Sequence, residues 1–145
     1  RRSHLLVAAT LFGAATLRAQ DTMKDWLARI LDPATVGITA PEGATLNRKI
    51  SVDTIHYDRD HPTKKIAVYM MPLAQMPQAK THFAAALGIP AQSSTDSKGF
   101  EKHLFDCTGK AKCPEKSKGL TVAIGRSPWV DGMTQIQLEL PGSTP

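Results

Sequence analysis

Residues 65–88 have the sequence KIAVYMMPLAQMPQAKTHFAAALG, in which a strand-like segment is followed by a helix-like one. The first seven residues are rich in β-formers. The helical part has Pro77 near its start and Gly88 at its end, the two positions that these residue types favour. Between them, one apolar residue recurs every four positions: Ala79, Phe83 and Leu87. This narrow apolar stripe predicts a helix that covers one face of a sheet.

Four further segments have the composition or the alternation of strands: residues 49–57, 100–107, 120–125 and 134–140. The clearest alternation is in the last segment, where Ile136, Leu138 and Leu140 lie on one face and polar residues on the other. The segment 100–107 alternates poorly, so that either of its faces can be the buried one.

Residues 49–57 contain five β-branched or aromatic residues, and a short polar link joins them to the strand of residues 65–71. We therefore predict a hairpin of these two segments. Residues 91–99 are polar and are predicted to form a loop. The predicted order is β-β-α-β-β-β, which favours the α+β class. We expect an antiparallel sheet of four to five strands with one helix packed on a face.

An amphipathic N-terminal helix is predicted before this sheet. Its apolar positions have helical spacing, and Pro33 ends the pattern: Met23, Trp26, Leu27, Ile30 and Leu31. Thr22 and Asp25 have the spacing of a capping box. We expect Trp26 to pack on its own domain, the alternative being a membrane or partner contact. Residues 33–47 are rich in turn residues and are predicted to be irregular, with a short extended piece at 36–38.

The first 19 residues have a basic start, an apolar run and small residues near the end, as secretory signal peptides do. We predict cleavage after Ala19; an anchor that is not cleaved is the alternative. The run is too short for a permanent membrane span, which needs about 20 apolar residues. The predicted organisation is a signal peptide at 1–19, an N-terminal helix and irregular segment at 20–47, and a single α+β domain at 48–145. The expected location is secreted or periplasmic.

The basic charge of the chain lies partly in the predicted signal peptide. The chain has 18 Lys and Arg, 13 Asp and Glu, and a net charge of +5. Loss of Arg1, Arg2 and Arg18 leaves 15 basic and 13 acidic residues, a net charge of +2. A nearly neutral domain gives no general electrostatic reason to bind nucleic acid.

The turn Pro41-Glu42-Gly43-Ala44 and the element order after it carry one resemblance. Between about residues 41 and 140, the chain resembles small secreted bacterial α+β domains of unassigned function. In these domains a Pro-x-Gly-Ala turn leads to strands, one helix and closing hairpins. The resemblance implies the fold class and brings no catalytic residue with it.

Cys107 and Cys113 are the only cysteines, with five residues between them. In an exported protein such a pair predicts a structural disulfide across the mouth of a hairpin loop. The spacing is neither that of a C-x-x-C oxidoreductase nor that of a haem attachment motif. Metal ligation and free thiols are the alternatives.

Two groups of side chains have metal-ligand chemistry. The first is a dense cluster, which resembles the His-x-His-x-Asp-His motif of the metallo-β-lactamase fold with Asp in place of the second His: His56, Asp58, Asp60 and His61. It precedes a strand where the family has a helix, so a polar turn is the favoured interpretation. The second group has thioether and imidazole ligands suited to copper, although methionine also fills cores that are poor in aromatics: Met70, Met71, Met76 and His82.

Two exposed features are candidates for binding a partner. The loop that holds the cysteines carries four lysines, which suit an anionic surface or simply keep the loop solvated: Lys110, Lys112, Lys116 and Lys118. Trp129 lies in the loop before the last strand and can anchor a partner or a glycan, or fold back over the sheet. Because the two features leave opposite ends of the strand at 120–125, we expect them to lie far apart.

No nucleophile-elbow, dinucleotide-binding or P-loop motif is present in the sequence. We therefore expect a non-enzymatic exported domain that binds an unknown ligand or acts as an accessory to an envelope protein or an anionic surface, without a cofactor. The alternative is a periplasmic metal-binding protein that uses the cluster at 56–61 or the methionine group at 70–76.

Overall fold

The structure is a computed structural model that describes residues 23–58, 60–109 and 112–142. The predicted signal peptide and Thr22 lie outside these residues. The helices are α1 (residues 23–28), α2 (Arg48–Tyr57) and α3 (Met76–Leu87). The strands are β1 (Thr45–Leu46), β2 (Lys65–Pro72), β3 (Gln92–Thr95), β4 (Glu101–Asp106), β5 (Thr121–Arg126) and β6 (Met133–Leu140). Three short 3₁₀ helices lie between them: Pro33–Val36, Leu73–Gln75 and Glu115–Ser117.

The six strands form one sheet in the order β1-β2-β6-β5-β4-β3, and all neighbouring strands are antiparallel. The α+β class and the antiparallel sheet are therefore confirmed, whereas the predicted strand count and order differ in detail. The disulfide between Cys107 and Cys113 is also confirmed, with 5.6 Å between the Cα atoms, and it closes the loop between β4 and β5.

The segment 49–57 is helix α2, so the predicted strand and its hairpin with β2 are wrong. Asn47 caps the helix, because its Oδ1 accepts a hydrogen bond from the N–H of Ile50 at 2.9 Å. The hydroxyl of Thr54 donates a hydrogen bond to the Ile50 carbonyl at 2.7 Å, so the polar group of this β-branched residue has a partner inside the helix. Ile50 and Ile55 then pack on β2. Capping and packing thus outweigh the β-propensity of the segment.

Three smaller predictions were also wrong. Part of the predicted loop at 91–99 is strand β3, which pairs with β4 through a turn at 96–99. The irregular region contains β1, which pairs with β2. Within the piece at 36–38 that we predicted to be extended, Val36 ends a 3₁₀ helix and Gly37 terminates it with a left-handed φ of 74°.

One face of the sheet, here called the closed face, is covered by α3. The predicted stripe of Ala79, Phe83 and Leu87 is buried there, and Gly88 has the left-handed conformation expected of a helix end. The alternating residues of β5 and β6 are buried opposite it, as predicted for Val122, Ile124, Ile136 and Leu138. Phe105 on β4 completes this cluster and settles which face of that strand is buried.

The other face, here called the open face, is covered by helices only over β2. Ile66, Val68 and Met70 of β2 pack there against Ile55 of α2. Trp26 of α1 packs on the same cluster, which confirms that it contacts its own domain. On β6, β5 and β4 the open face carries mostly polar or small side chains.

The outer edge of β2 is covered in three successive pieces, which leaves little of it free to pair. Residues 29–31 form a short parallel bridge with Ile66. The N–H of Asn47 donates to the Val68 carbonyl, and β1 pairs with the next two residues of β2, Tyr69 and Met70. The Ser51 hydroxyl of α2 accepts the Val68 N–H at 2.9 Å. This pairing fixes α2 against the sheet and so positions one side of the site described below.

Within the described residues, no helix has the length and apolar content that a membrane span requires.

Candidate functional site

A cleft of about 790 Å³ lies on the open face between α2 and the loop that joins β5 to β6. This volume falls within the range of small-ligand sites, roughly 300–1,000 Å³. Tyr57 and Asp53 of α2 line one wall, Trp129 of the loop lines the other, and Gln135 and Gln137 of β6 form the floor. The cleft therefore exists only because residues 48–57 are a helix.

The two aromatic side chains that line the cleft are largely exposed to solvent. Tyr57 is 79% exposed and Trp129 is 72% exposed. Tyr57 makes an edge contact with His56, with 5.4 Å between the ring centroids. Two large exposed aromatic side chains across one concave surface are a typical feature of binding sites. The sequence left Trp129 as either a partner contact or a side chain folded back over the sheet, and in the structure it is exposed.

A buried hydroxyl holds the Trp129 wall in place. The Oγ of Ser127 accepts hydrogen bonds from the N–H groups of Trp129 at 3.2 Å and Val130 at 3.0 Å. In this type of turn, a serine hydroxyl accepts hydrogen bonds from the backbone N–H groups two and three residues later. The same hydroxyl donates to the Oε1 of Gln135 at 3.0 Å. Ser127 thus ties the wall of the cleft to its floor.

The two glutamines of the floor are each oriented by one hydrogen bond. Gln135 accepts from Ser127 through Oε1, and Gln137 donates from Nε2 to the Oε1 of Glu139 at 2.7 Å. Within the described residues, the Nε2 of Gln135 and the Oε1 of Gln137 have no protein partner. The floor therefore offers a ligand one amide donor group and one carbonyl acceptor at adjacent outward positions of β6.

The charged residues that line the cleft balance each other. Lys49 and Asp53 both belong to α2, both are exposed, and neither forms an ion pair with a described residue. They are one helical turn apart, so one positive and one negative charge lie on the same wall. The cleft as a whole carries no net charge.

The cleft continues as a shallower groove of about 390 Å³ across β5 and β4 toward β3. Both depressions are lined by Pro128, Gln135 and Gln137, so they share one floor. Ala123 and Gly125 of β5 are small, and this keeps the groove open. An extended ligand can therefore lie along the open face.

The cluster at 56–61 is divided between two sets of contacts. The Nδ1 of His61 lies 2.8 Å from Asp58, and the Nζ of Lys64 contacts Asp58 at 3.3 Å and Glu139 at 3.0 Å. His56 instead packs against the ring of Trp26, with 4.4 Å between the centroids. Among the described residues, no group of three His, Cys, Asp or Glu side chains is arranged to hold a metal ion.

These contacts shift two pKa values. Burial raises the pKa of Asp58, but the hydrogen bonds with His61 and Lys64 outweigh it and hold this pKa below its ordinary value. Burial lowers the pKa of Lys64, but the hydrogen bonds with Glu139 and Asp58 leave it raised. The charged pair of Asp58 and Lys64 is therefore stabilised at neutral pH.

The methionine group is not brought together as one site. Met70 and Met71 are successive residues of β2 and belong to the clusters on opposite faces of the sheet. Met76 packs in the cluster of the closed face. A ring nitrogen of His82 lies 2.7 Å from the carbonyl oxygen of Thr39.

The lysine-bearing loop lies at the end of β5 opposite to Trp129, as the sequence predicted. Lys110 lies outside the described residues, while Lys112, Lys116 and Lys118 are exposed. Lys118 pairs with Glu115 at 2.8 Å. The loop is anchored by the buried hydroxyl of Ser117, which donates to the Val36 carbonyl at 2.7 Å.

A hydrogen-bonded chain that the sequence analysis missed joins β3 to β4. The Oγ of Ser93 lies 2.7 Å from the Nδ1 of His103, and the Nε2 of His103 lies 3.1 Å from Glu101. In serine hydrolases the hydroxyl contacts Nε2 and the carboxylate contacts Nδ1, so the ring nitrogens are exchanged here. His103 is only 3% exposed, and the two contacts satisfy its buried ring nitrogens. If residues 92–95 had been recognised as a strand next to β4, the register of the two strands would have placed Ser93 opposite His103.

Three residues of the cleft were also missed: Tyr57, Gln135 and Gln137. Tyr57 had been placed in a strand, and the glutamines had been identified only as the outward positions of β6. The sequence signal for α2 is the residue type at position 47. An asparagine at a helix start can accept a hydrogen bond from the N–H three residues later, as Asn47 does from Ile50.

Comparisons with protein families, curated proteins and solved structures found no match to this chain.

Proposed function

We propose that this chain is an exported, non-enzymatic binding domain whose ligand occupies the cleft between α2 and the β5–β6 loop. The observation that carries the proposal is the pair of exposed aromatic side chains, Tyr57 and Trp129, that line one concave site. Burial of a large aromatic side chain normally stabilises a fold by a few kcal/mol, and neither residue contributes that burial in the free protein. A bound ligand would bury both side chains.

The rigidity of the cleft supports the same proposal. Trp129 belongs to a loop fixed by the hydroxyl of Ser127, and Tyr57 ends a helix that is bonded to β2 through Ser51. Binding to a preformed site costs less conformational entropy than binding to a mobile one. The walls are therefore already placed for a ligand.

The disulfide supports export. Cys107 and Cys113 are both buried, and a disulfide persists where the compartment is oxidising. The predicted signal peptide agrees with this location. The non-enzymatic part of the proposal rests on the absence of a catalytic motif in the sequence and on the exchanged nitrogens of His103.

The experiment is NMR chemical-shift mapping of the purified protein with a library of small, chemically diverse fragments. We expect the shifted amides to cluster at residues 47–57 and 127–137, and the Trp129→Ala variant to lose them. Phe100→Ala is the matched control, because Phe100 is an exposed aromatic residue that does not line this cleft.

Two results would contradict the proposal. One is a fragment response that maps elsewhere on the protein or is unaffected by Trp129→Ala. The other is hydrolysis of simple esters that disappears in both Ser93→Ala and His103→Gln, which would make the chain of Ser93, His103 and Glu101 catalytic.

A further inference from the structure

We infer that the cleft binds a neutral oligosaccharide, an inference that rests on the proposed function and specifies its ligand class. Three features of the cleft lead to it: the aromatic walls, the free amide groups of the floor, and the balanced charge. Each excludes some ligand classes, and together they favour a polyol with apolar ring faces.

The aromatic walls suit sugar rings. A pyranose presents a patch of C–H groups on one face, and such a patch stacks on the negative π-face of Trp or Tyr. The rest of the cleft lining combines polar side chains with Ile50, Pro128 and Val130, so apolar and polar surfaces lie side by side in the cleft. That mixture fits a ligand that presents small apolar faces between hydroxyl groups.

The floor suits hydroxyl groups. A pair of neighbouring sugar hydroxyls can accept from one amide group and donate to another, and the Nε2 of Gln135 and the Oε1 of Gln137 are a donor and an acceptor of this kind. Ser127 and Glu139 already orient the two amides. Their hydrogen-bonding groups are therefore preorganised for a ligand.

The floor does not suit a peptide that adds as a strand. β6 lies between β2 and β5, and β5 lies between β6 and β4, so the backbone groups of both floor strands are engaged within the sheet. Strand addition requires a free sheet edge. Recognition in this cleft must therefore use side chains.

The charges favour a neutral ligand. An acidic sugar would approach the carboxylate of Asp53, and a cationic one would approach Lys49, so neither charge is favoured by the cleft. The groove that continues toward β3 is lined by Lys102 and Arg126, where an acidic oligosaccharide would gain an attraction. The comparison of neutral with acidic oligomers therefore tests this step directly.

The test is a titration of the protein, followed by NMR, with oligomers of three to six units of glucose, galactose, mannose, xylose and N-acetylglucosamine. Oligogalacturonate and deacetylated chitosan oligomers are the anionic and cationic counterparts. We expect at least one neutral series to shift the amides at 47–57 and 127–137. Trp129→Ala should weaken its binding about thirtyfold, the size of a typical hot-spot loss.

Two further variants separate contact from positioning. Trp129→Phe keeps a stacking ring and should retain most of the affinity, while Phe100→Ala should retain all of it. Ser127→Ala removes the hydroxyl that holds both Trp129 and Gln135, so it should weaken sugar binding although Ser127 is buried.

The outcomes separate this inference from the proposed function. No response at the cleft to any neutral series, or a response to a charged series alone, would overturn the sugar inference. If fragments still map to the cleft in that case, the binding function stands and only the ligand class is wrong. If neither fragments nor sugars map there, both are wrong.

Discussion

The two faces of the sheet are built from different kinds of side chain. The closed face is apolar from β2 to β4 and is covered by α3, with Phe83 and Phe105 at its centre. The open face is apolar mainly on β2, where Ile66, Val68 and Met70 meet α2. Over β6 and β5 it presents amides, small residues and the cleft.

This difference separates stability from binding within one small sheet. The burial of apolar area on the closed face provides most of the hydrophobic free energy of folding, and that contribution does not depend on pH. The open face has little apolar area left to bury, and charged pairs such as Lys64 with Glu139 lie along its border. Substitutions on the two faces should therefore differ in size and in their dependence on pH.

The largest expected effect is that of Phe83→Ala on the closed face. Phe83 is fully buried, and its ring centroid lies 6.2 Å from that of Phe105. Its truncation should lower the free energy of unfolding by about 3–5 kcal/mol, because the lost transfer energy adds to the cost of a cavity. Urea denaturation measures this loss, provided that the m-value of the variant equals that of the wild type.

The same deletion of an aromatic ring on the open face is the control. Trp129→Ala should change the free energy of unfolding by less than about 0.5 kcal/mol, as expected of an exposed side chain. If the two variants lose similar stability, then the distinction between the faces is wrong.

The closed face was largely predictable from the sequence, and the open face was not. The stripe of Ala79, Phe83 and Leu87, the Gly88 end and the alternation of β6 are local patterns whose period matches the burial found. The strand β3 was missed because Gln92–Thr95 is wholly exposed and has no apolar alternation. An edge strand of this kind is defined by its pairing with β4 and not by its own composition.

The cleft could not be predicted, because its two walls come from elements about 70 residues apart. Trp129 was a candidate on composition alone, but its partner across the cleft, Tyr57, depended on the state of residues 48–57. β-propensity favoured a strand there, and the apolar surface of β2 together with the Asn47 cap decided for a helix. The disulfide was predictable because it needed only two cysteines and the expectation of export.

A smaller effect is expected for the double variant Cys107→Ser with Cys113→Ser. The bridge closes a loop of sequence separation 6, so its loss should lower the free energy of unfolding by about 2–3 kcal/mol through loop-closure entropy. For a domain of this size that corresponds to roughly 8–12 °C in the melting temperature, which calorimetry measures. The protein should still unfold cooperatively, because the helix-covered cluster of the closed face remains.

The wild-type protein treated with a reductant is the matched control and should lose the same stability. Complete unfolding of the double variant would mean that the closed face does not provide enough stability by itself. Thiol titration of freshly exported protein, native and denatured, should find no free thiol. Two free thiols would contradict export through an oxidising compartment.

The smallest expected effect is that of Asp58→Asn at the border of the open face, and it should depend on pH. Hydrogen bonds with His61 and Lys64 hold the pKa of Asp58 below its ordinary value of 3.8 despite its partial burial. Because the folded-state pKa lies below the unfolded-state value, the carboxylate stabilises the fold above about pH 4, and this contribution disappears as the pH falls through the folded-state pKa. The variant should therefore lose at most about 1 kcal/mol at neutral pH, and progressively less as the pH falls below about 4.

Denaturation of wild type and variant at several pH values between 2 and 7 measures this difference. Asp60→Asn is the control, because Asp60 is an exposed carboxylate two residues away, and it should match the wild type throughout. A constant loss for Asp58→Asn at all pH values would mean that Asp58 acts through its position at the end of α2 and not through its charge. A loss that grows with pH would confirm that the border of the open face, unlike the closed face, is held in part by ionised groups.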